Sequence, residues 1–275
     1  MMPQARFRNS VPMALLLAGL TTFELPAQWP RYPSARVPRD KQGKPNLRAP
    51  APRTPEGRPD LSGIWGNPPC RDTCPPGSKD EFLPLPAQFV DISWGLKGGL
   101  PYRPWAKELY ELRAAANGKD NPDARCQPIG LVQLQTHPYP RRILQTPELL
   151  VILNEKDNVF RQIHTDGRAL PSDPQPWYYG YSTGKWVGDA LVAETIGFKE
   201  DGWLDFRGAP ITEAAKITER FRRPDFGSLE IEITIDDPKA YTRPFRVKLD
   251  QSFLLDVDVF EFFCAENEKS VVHFK

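Results

Sequence analysis

The most regular pattern in the chain lies over 229–235, where Leu229, Ile231, Ile233 and Ile235 alternate with Glu230, Glu232 and Thr234. A period of two puts the apolar set on one face of a strand and the polar set on the other, so one side is buried and one is wet. A partner strand over 216–222 precedes it across Pro224-Asp225-Phe226-Gly227, and another follows over 245–249. The same reading predicts strands over 61–66, 142–146, 149–153 and 159–164, and a hairpin in which 185–187 turns at Gly188-Asp189 into 190–196. Val259-Phe260-Glu261-Phe262-Phe263-Cys264 reads as the final strand. One segment, over 104–117, has helical spacing: Pro104 suits a first turn, Trp105, Leu109 and Leu112 recur on one side, and Asn117-Gly118 ends it. These elements predict a mainly β chain, an antiparallel meander with one short helix. Closing the sheet into a barrel removes its unpaired edges. A two-sheet sandwich is the alternative.

The N-terminal region breaks this pattern. Arg6 and Arg8 precede an apolar run from Val11 to Leu20, and Leu25-Pro26-Ala27 then supplies a cleavage-like site. That order is the order of a secretory signal, expected over 1–27. The run is about half of the ~20 residues a bilayer span needs, so no stable membrane anchor is expected. The 31 prolines are unevenly spread, with a dense group in residues 28–60, a stretch that lacks the apolar content to form a core and reads as an extended arm. The barrel domain is expected over 61–275. A formal net charge of +1 gives no electrostatic footprint for nucleic acid.

Export changes the reading of the cysteines. Cys70, Cys74, Cys126 and Cys264 are expected to form disulfides in a periplasmic or secreted protein, with Cys70–Cys74 a local loop and Cys126–Cys264 a long-range staple. Zinc is the alternative, but Cys-x3-Cys without a second ligand pair nearby is a poor site, and no metal or other cofactor is expected.

Gly63-x-Trp65 followed by a strand meander resembles the opening of the lipocalin-like, or calycin, barrels. Over about residues 57–267 the chain resembles a family of exported, largely uncharacterised bacterial proteins with such a barrel. The phrases that carry this are Pro59-Asp60-Leu61-Ser62-Gly63-Ile64-Trp65, Asp123-Ala124-Arg125-Cys126, Gln145-Thr146-Pro147 and Asp166-Gly167-Arg168. Further along they are Thr218-Glu219-Arg220-Phe221-Arg222-Arg223, Thr234-Ile235-Asp236-Asp237-Pro238 and Cys264-Ala265-Glu266-Asn267. The resemblance implies the fold and implies no activity. Members of the family tend to carry histidine where this chain has Tyr181 and Ile211, and glutamate where it has Val187.

Candidate chemistry is sparse. No nucleophile elbow, zinc-protease helix, phosphate loop or dinucleotide fingerprint occurs. Of three histidines, His273 lies at the C-terminus, His137 sits in a loop, and His164 ends a strand beside Asp166, where it can act as a general base. On 218–223, Arg220 and Arg222 share one strand face, with Glu219 and Phe221 on the other. A buried Glu219 would be an acid–base group, and an arginine inside the barrel would bind a carboxylate or phenolate. Cross-strand ion pairs with Glu230 and Glu232 are the plainer alternative.

The richest local feature is aromatic: Trp177-Tyr178-Tyr179-Gly180-Tyr181, then Trp186 and Trp203. Such side chains offer flat apolar area with a polar handle. The expected function is therefore an exported barrel binding an apolar or aromatic small molecule, with Trp177, Tyr179, Tyr181, Trp186 and Trp203 at the barrel mouth. His164 and Arg220 are expected nearby as hydrogen-bond partner and anion anchor. The alternative is a lyase, isomerase or hydratase without redox cofactor, using His164, Asp166, Tyr181, Glu219 and Arg220.

Overall fold

Alternation translates directly into a barrel wall. On β8 (Ser228–Asp236), Leu229, Ile231, Ile233 and Ile235 are all buried while the residues between them stay partly accessible. The computed structural model describes residues 33–34, 36–68 and 86–264. The expected signal segment 1–27, Cys70, Cys74 and His273 lie outside the described residues.

Nine strands close into one barrel in chain order. They are β1 (Gly63–Gly66), β2 (Arg141–Gln145), β3 (Leu149–Asn154), β4 (Phe160–His164), β5 (Tyr181–Val187), β6 (Ala190–Ile196), β7 (Lys216–Asp225), β8 and β9 (Phe245–Phe253). The short β1 closes the ring by pairing with β2 through Ile64↔Arg142 and with β9 through Trp65↔Phe253. The chain is thus mainly β and a closed barrel, as its pattern predicts.

Three local expectations differ. β4 and β5 run parallel, not antiparallel, so the barrel is mixed. A parallel neighbour needs a long return connection, and residues 165–180, with Pro171, Pro174 and Pro176, provide it. Residues 259–264 form no strand: both edges of β1 are already taken, so closure leaves no edge to extend. The segment instead lies along the β3–β4 turn, where Asn158 Oδ1 accepts from Phe262 N at 3.0 Å and Asn158 Nδ2 donates to Phe262 O at 2.7 Å. Cys264 is bonded to Cys126 there, so the staple holds a non-strand tail and not a final strand.

The third difference is helical. Besides α2 (Pro104–Ala115), which matches the expected helix, the described residues contain α1 (Ala87–Val90) and α3 (Leu131–Thr136). All six residues of α3 are buried, so it has no wet face and no amphipathic period by which to recognise it. Its C-terminal carbonyls find a donor inside the barrel. Arg141 Nη1 donates to Gln135 O at 2.6 Å, and Arg141 Nη2 to His137 O at 2.9 Å.

The arm contains a repeat. Pro38-Arg39-Asp40-Lys41-Gln42-Gly43-Lys44-Pro45-Asn46-Leu47 is matched by Pro52-Arg53-Thr54-Pro55-Glu56-Gly57-Arg58-Pro59-Asp60-Leu61. Each copy is the same tight turn. The arginine donates to the glycine carbonyl, at 2.8 Å in the first and 2.6 Å in the second, and both glycines have φ near +80°. The arm lies on the barrel: Gly227 N donates to Leu47 O at 2.8 Å, and Arg53 forks onto Asp189 at the β5–β6 turn at 3.0 and 2.8 Å.

Candidate ligand-binding site

The parallel seam between β4 and β5 is one of the two shortest joints of the wall, the other being β1–β9. The seam has two register pairs, Ile163↔Ser182 and His164↔Thr183. Beyond them the start of β4 and the loop 175–180 diverge, and a recess of about 570 Å³ opens between them. Its size is that of an ordinary small-molecule site.

The loop is held from behind. Trp177 N donates to Gly197 O at 2.9 Å, and Lys199 N donates to Trp177 O at 3.0 Å. Gly180 turns the chain into β5 with φ +62°, and a Cβ there would meet Ile196 O at 2.7 Å, so the turn requires glycine. This turn sets Tyr181 against His164, with ring centroids 5.5 Å apart and planes at 26°, and Trp177 lies 6.0 Å beyond Tyr181. Trp177 is 50% exposed and Phe160, across the recess, 60%.

The floor is polar and buried. Arg161 Nη1 donates to Glu219 Oε1 at 3.0 Å, and its Nη2 is also bonded to Glu219 Oε2. Arg161 further donates to Ser182 Oγ at 3.1 Å and Thr195 Oγ1 at 3.0 Å, and Gln135 Nε2 donates to Glu219 Oε1 at 2.9 Å. The recess therefore ends at Arg161 and Ser182, with Glu219 beyond them.

His164, Trp177, Tyr179 and Tyr181 meet in one pocket, as expected. The other expected members lie elsewhere. Trp186 sits at the far end of β5 beneath Arg58, 5.8 Å from the ring centroid. Trp203 is buried, with the Arg113 guanidinium 4.4 Å over its ring, in a separate recess. Arg220 faces outward opposite Glu232, and Arg222 pairs with Glu230 at 2.7 Å, which is the cross-strand arrangement. The arginine inside the barrel is Arg161, not Arg220. A period-two signal for it was present: Ile163 faces the core, so residue 161 must as well.

The charges at the rim are settled locally. Asp166 accepts from Arg168 Nε at 2.8 Å and Nη2 at 2.5 Å, and these bonds pull its carboxyl down to about 2. Arg168 Nη1 also donates to the Tyr181 hydroxyl at 3.3 Å. Burial, and then the nearby Arg168 cation, hold His164 below the usual histidine value, so its ring is neutral at neutral pH. Burial raises the Tyr179 phenol, whose hydroxyl has no hydrogen-bond partner among the described residues. The other histidine among the described residues, His137, is buried away from the pocket, 3.8 Å from Asp123.

No protein-family model, curated protein or solved structure matches this chain.

Proposed function

We propose that the protein binds an apolar or aromatic small molecule in the seam pocket between β4 and β5. The observation that carries this is a pair of large apolar side chains, Trp177 and Phe160, left half-exposed on either side of a recess floored by buried polar groups. Leaving such surface in water forgoes roughly 25 cal/mol for each Å² of apolar area, and a flat ligand between the two would recover it.

The acid–base alternative finds less support in the same residues. Asp166 is committed to Arg168, Glu219 to Arg161, and no side-chain hydrogen bond among the described residues orients the His164 ring. Proton transfer needs a poised group within reach of a partner.

We read the protein as an exported, lipocalin-like member of the bacterial barrel family it resembles. The basic, apolar and small-residue order of 1–27 and the Cys126–Cys264 bond support a periplasmic or secreted location. No helix among the described residues is long and apolar enough to cross a membrane.

The test is titration of the oxidised protein with 2-naphthalenemethanol, a neutral ring compound. Saturable quenching of tryptophan emission is expected, with NMR shift changes led by the Trp177 indole N–H. Quenching that rises linearly without saturation, and shift changes scattered over the surface, would sink the reading.

A further inference from the structure

The charge around the seam pocket is unbalanced. No aspartate or glutamate lines it, while Arg161 and Lys199 do. Arg161 is neutralised from below by Glu219, and His164 is neutral. That leaves the Lys199 ammonium as the net charge of the lining.

Lys199 is placed by the same bond that builds the aromatic wall, its N–H on the Trp177 carbonyl at 3.0 Å. Its Nζ lies 4.5 Å from the Tyr178 ring centroid and makes no ion pair among the described residues. A ring face attracts an ammonium without cancelling its charge, so the cation stays available to an anion. The two carboxylates next in the chain, Glu200 and Asp201, border the other recess, with Trp203 and Arg113.

We propose that the ligand of this pocket is an aromatic acid, with its ring on the Trp177–Tyr181 wall and its carboxylate on the Lys199 ammonium. This rests on the ligand-binding reading above and adds the ligand's class. One uncompensated cation suits a monoanion, because a second negative charge would enter an apolar recess unpaired. A recess of about 570 Å³ has room for one or two fused rings. The anchor expected at Arg220 is thereby supplied by a lysine on the loop after β6.

A matched pair of probes separates the two claims. 2-Naphthoate and 2-naphthalenemethanol share the ring system and differ in charge. The oxidised full chain is titrated with each at neutral pH and low ionic strength, with tryptophan emission as readout. Naphthoate is expected to bind about tenfold tighter, as a partly solvated charge-assisted hydrogen bond allows. In Lys199→Met the affinity ratio should fall to about one, and Lys199→Arg should restore it. Raising the salt concentration should shrink the ratio in the wild type. Thermal melts establish that each variant is folded.

Saturable binding of both probes with equal affinity would overturn the acid assignment and leave the ring-binding reading standing. Retention of the naphthoate preference in Lys199→Met would overturn the role of Lys199. Failure of both probes to bind would overturn the ring-binding reading itself, and the acid assignment with it.

Discussion

Arg161 on β4 and Glu219 on β7 face each other across the barrel interior as an ion pair almost wholly withdrawn from water, with side-chain exposures of 2% and 0%. The pair is cross-braced by Gln135, Ser182 and Thr195, which satisfy the hydrogen-bonding capacity the two charges leave over. Removing ions from water costs several kcal/mol each, and that cost is offset only when partners are as complete as these. The Glu219→Gln variant should therefore lose about 3–5 kcal/mol, because it strands a buried guanidinium. The double variant Arg161→Met/Glu219→Leu should recover most of that loss. Urea unfolding of Arg161→Met, Glu219→Leu and their double gives the coupling energy, and additive losses would show that the pair is not coupled.

The Cys126–Cys264 bond, with Cα atoms 5.5 Å apart, closes a loop of 138 residues. In the chain-entropy view so long a loop is worth about 5 kcal/mol. Cys264→Ser should thus lower stability by about 2–5 kcal/mol, measured by denaturant midpoints in oxidised samples. Peptide mapping without reduction should recover residues around Cys126 joined to those around Cys264. Equal midpoints for the variant and wild type would mean that the tail's non-covalent contacts, among them those with Asn158, Glu155 and Tyr139, hold it without the bond.

His137 supplies a pH prediction. It is buried between Phe89 and Tyr139, and that burial, more than the attraction of Asp123, sets its pKa below the usual value. In the unfolded chain the imidazole takes a proton near pH 6.5, while in the native state it resists. Below about pH 6.5 the unfolded state therefore binds more protons, and stability falls as pH falls. Asp205 acts in the opposite sense: burial raises it to about 6, so acidification between about pH 6 and 4 relieves a buried charge. His137→Phe isolates the histidine. Its urea midpoint should fall less than that of wild type between pH 7.5 and 5.0, and parallel curves would remove the argument.

Where one face of an element is wet, the pattern was legible. The alternation in β7 and β8 and the proline-started helix α2 follow from residue type and spacing. The Cys126–Cys264 pairing, by contrast, is one of three connectivities, and choosing it rests on the export reading and on a final strand the chain does not form. Features without a wet face were not legible. In α3 every residue is buried, so Leu131-Val132-Gln133-Leu134-Gln135-Thr136 has no period to reveal. Val259 to Cys264 has strand-like residues, yet whether they pair depends on a free edge, which closure at β1 abolishes. The seam was hidden for a related reason, since strand direction is set by the route of 165–180 and leaves no mark on the strands. Hence four aromatic and histidine members of the pocket could be named, whereas Phe160 and Lys199, which reach it only through the parallel pairing and the Trp177 bridge, could not.

Trp177 and Trp203 lie in the same stretch of chain, but the structure separates them by environment. Trp177 is half-exposed on the pocket wall, while Trp203 is 3% exposed beneath Arg113. Trp177→Ala removes a side chain that is already half in water, so the melting temperature should change less than for Trp203→Ala. Its cost should appear in binding: weaker affinity for 2-naphthalenemethanol by at least about tenfold, given the 150–250 Å² an aromatic can cover and discounting for partial enclosure. An Ala at 203 opens a cavity in a packed region, so stability should drop by about 3–5 kcal/mol. Ligand affinity of the folded Trp203→Ala protein should stay near wild type, since that ring does not line the seam pocket. The measurements are thermal and urea unfolding for stability and tryptophan quenching for affinity. A Trp177→Ala protein that melts early yet binds normally would assign Trp177 to the scaffold and leave the seam without its principal ligand contact.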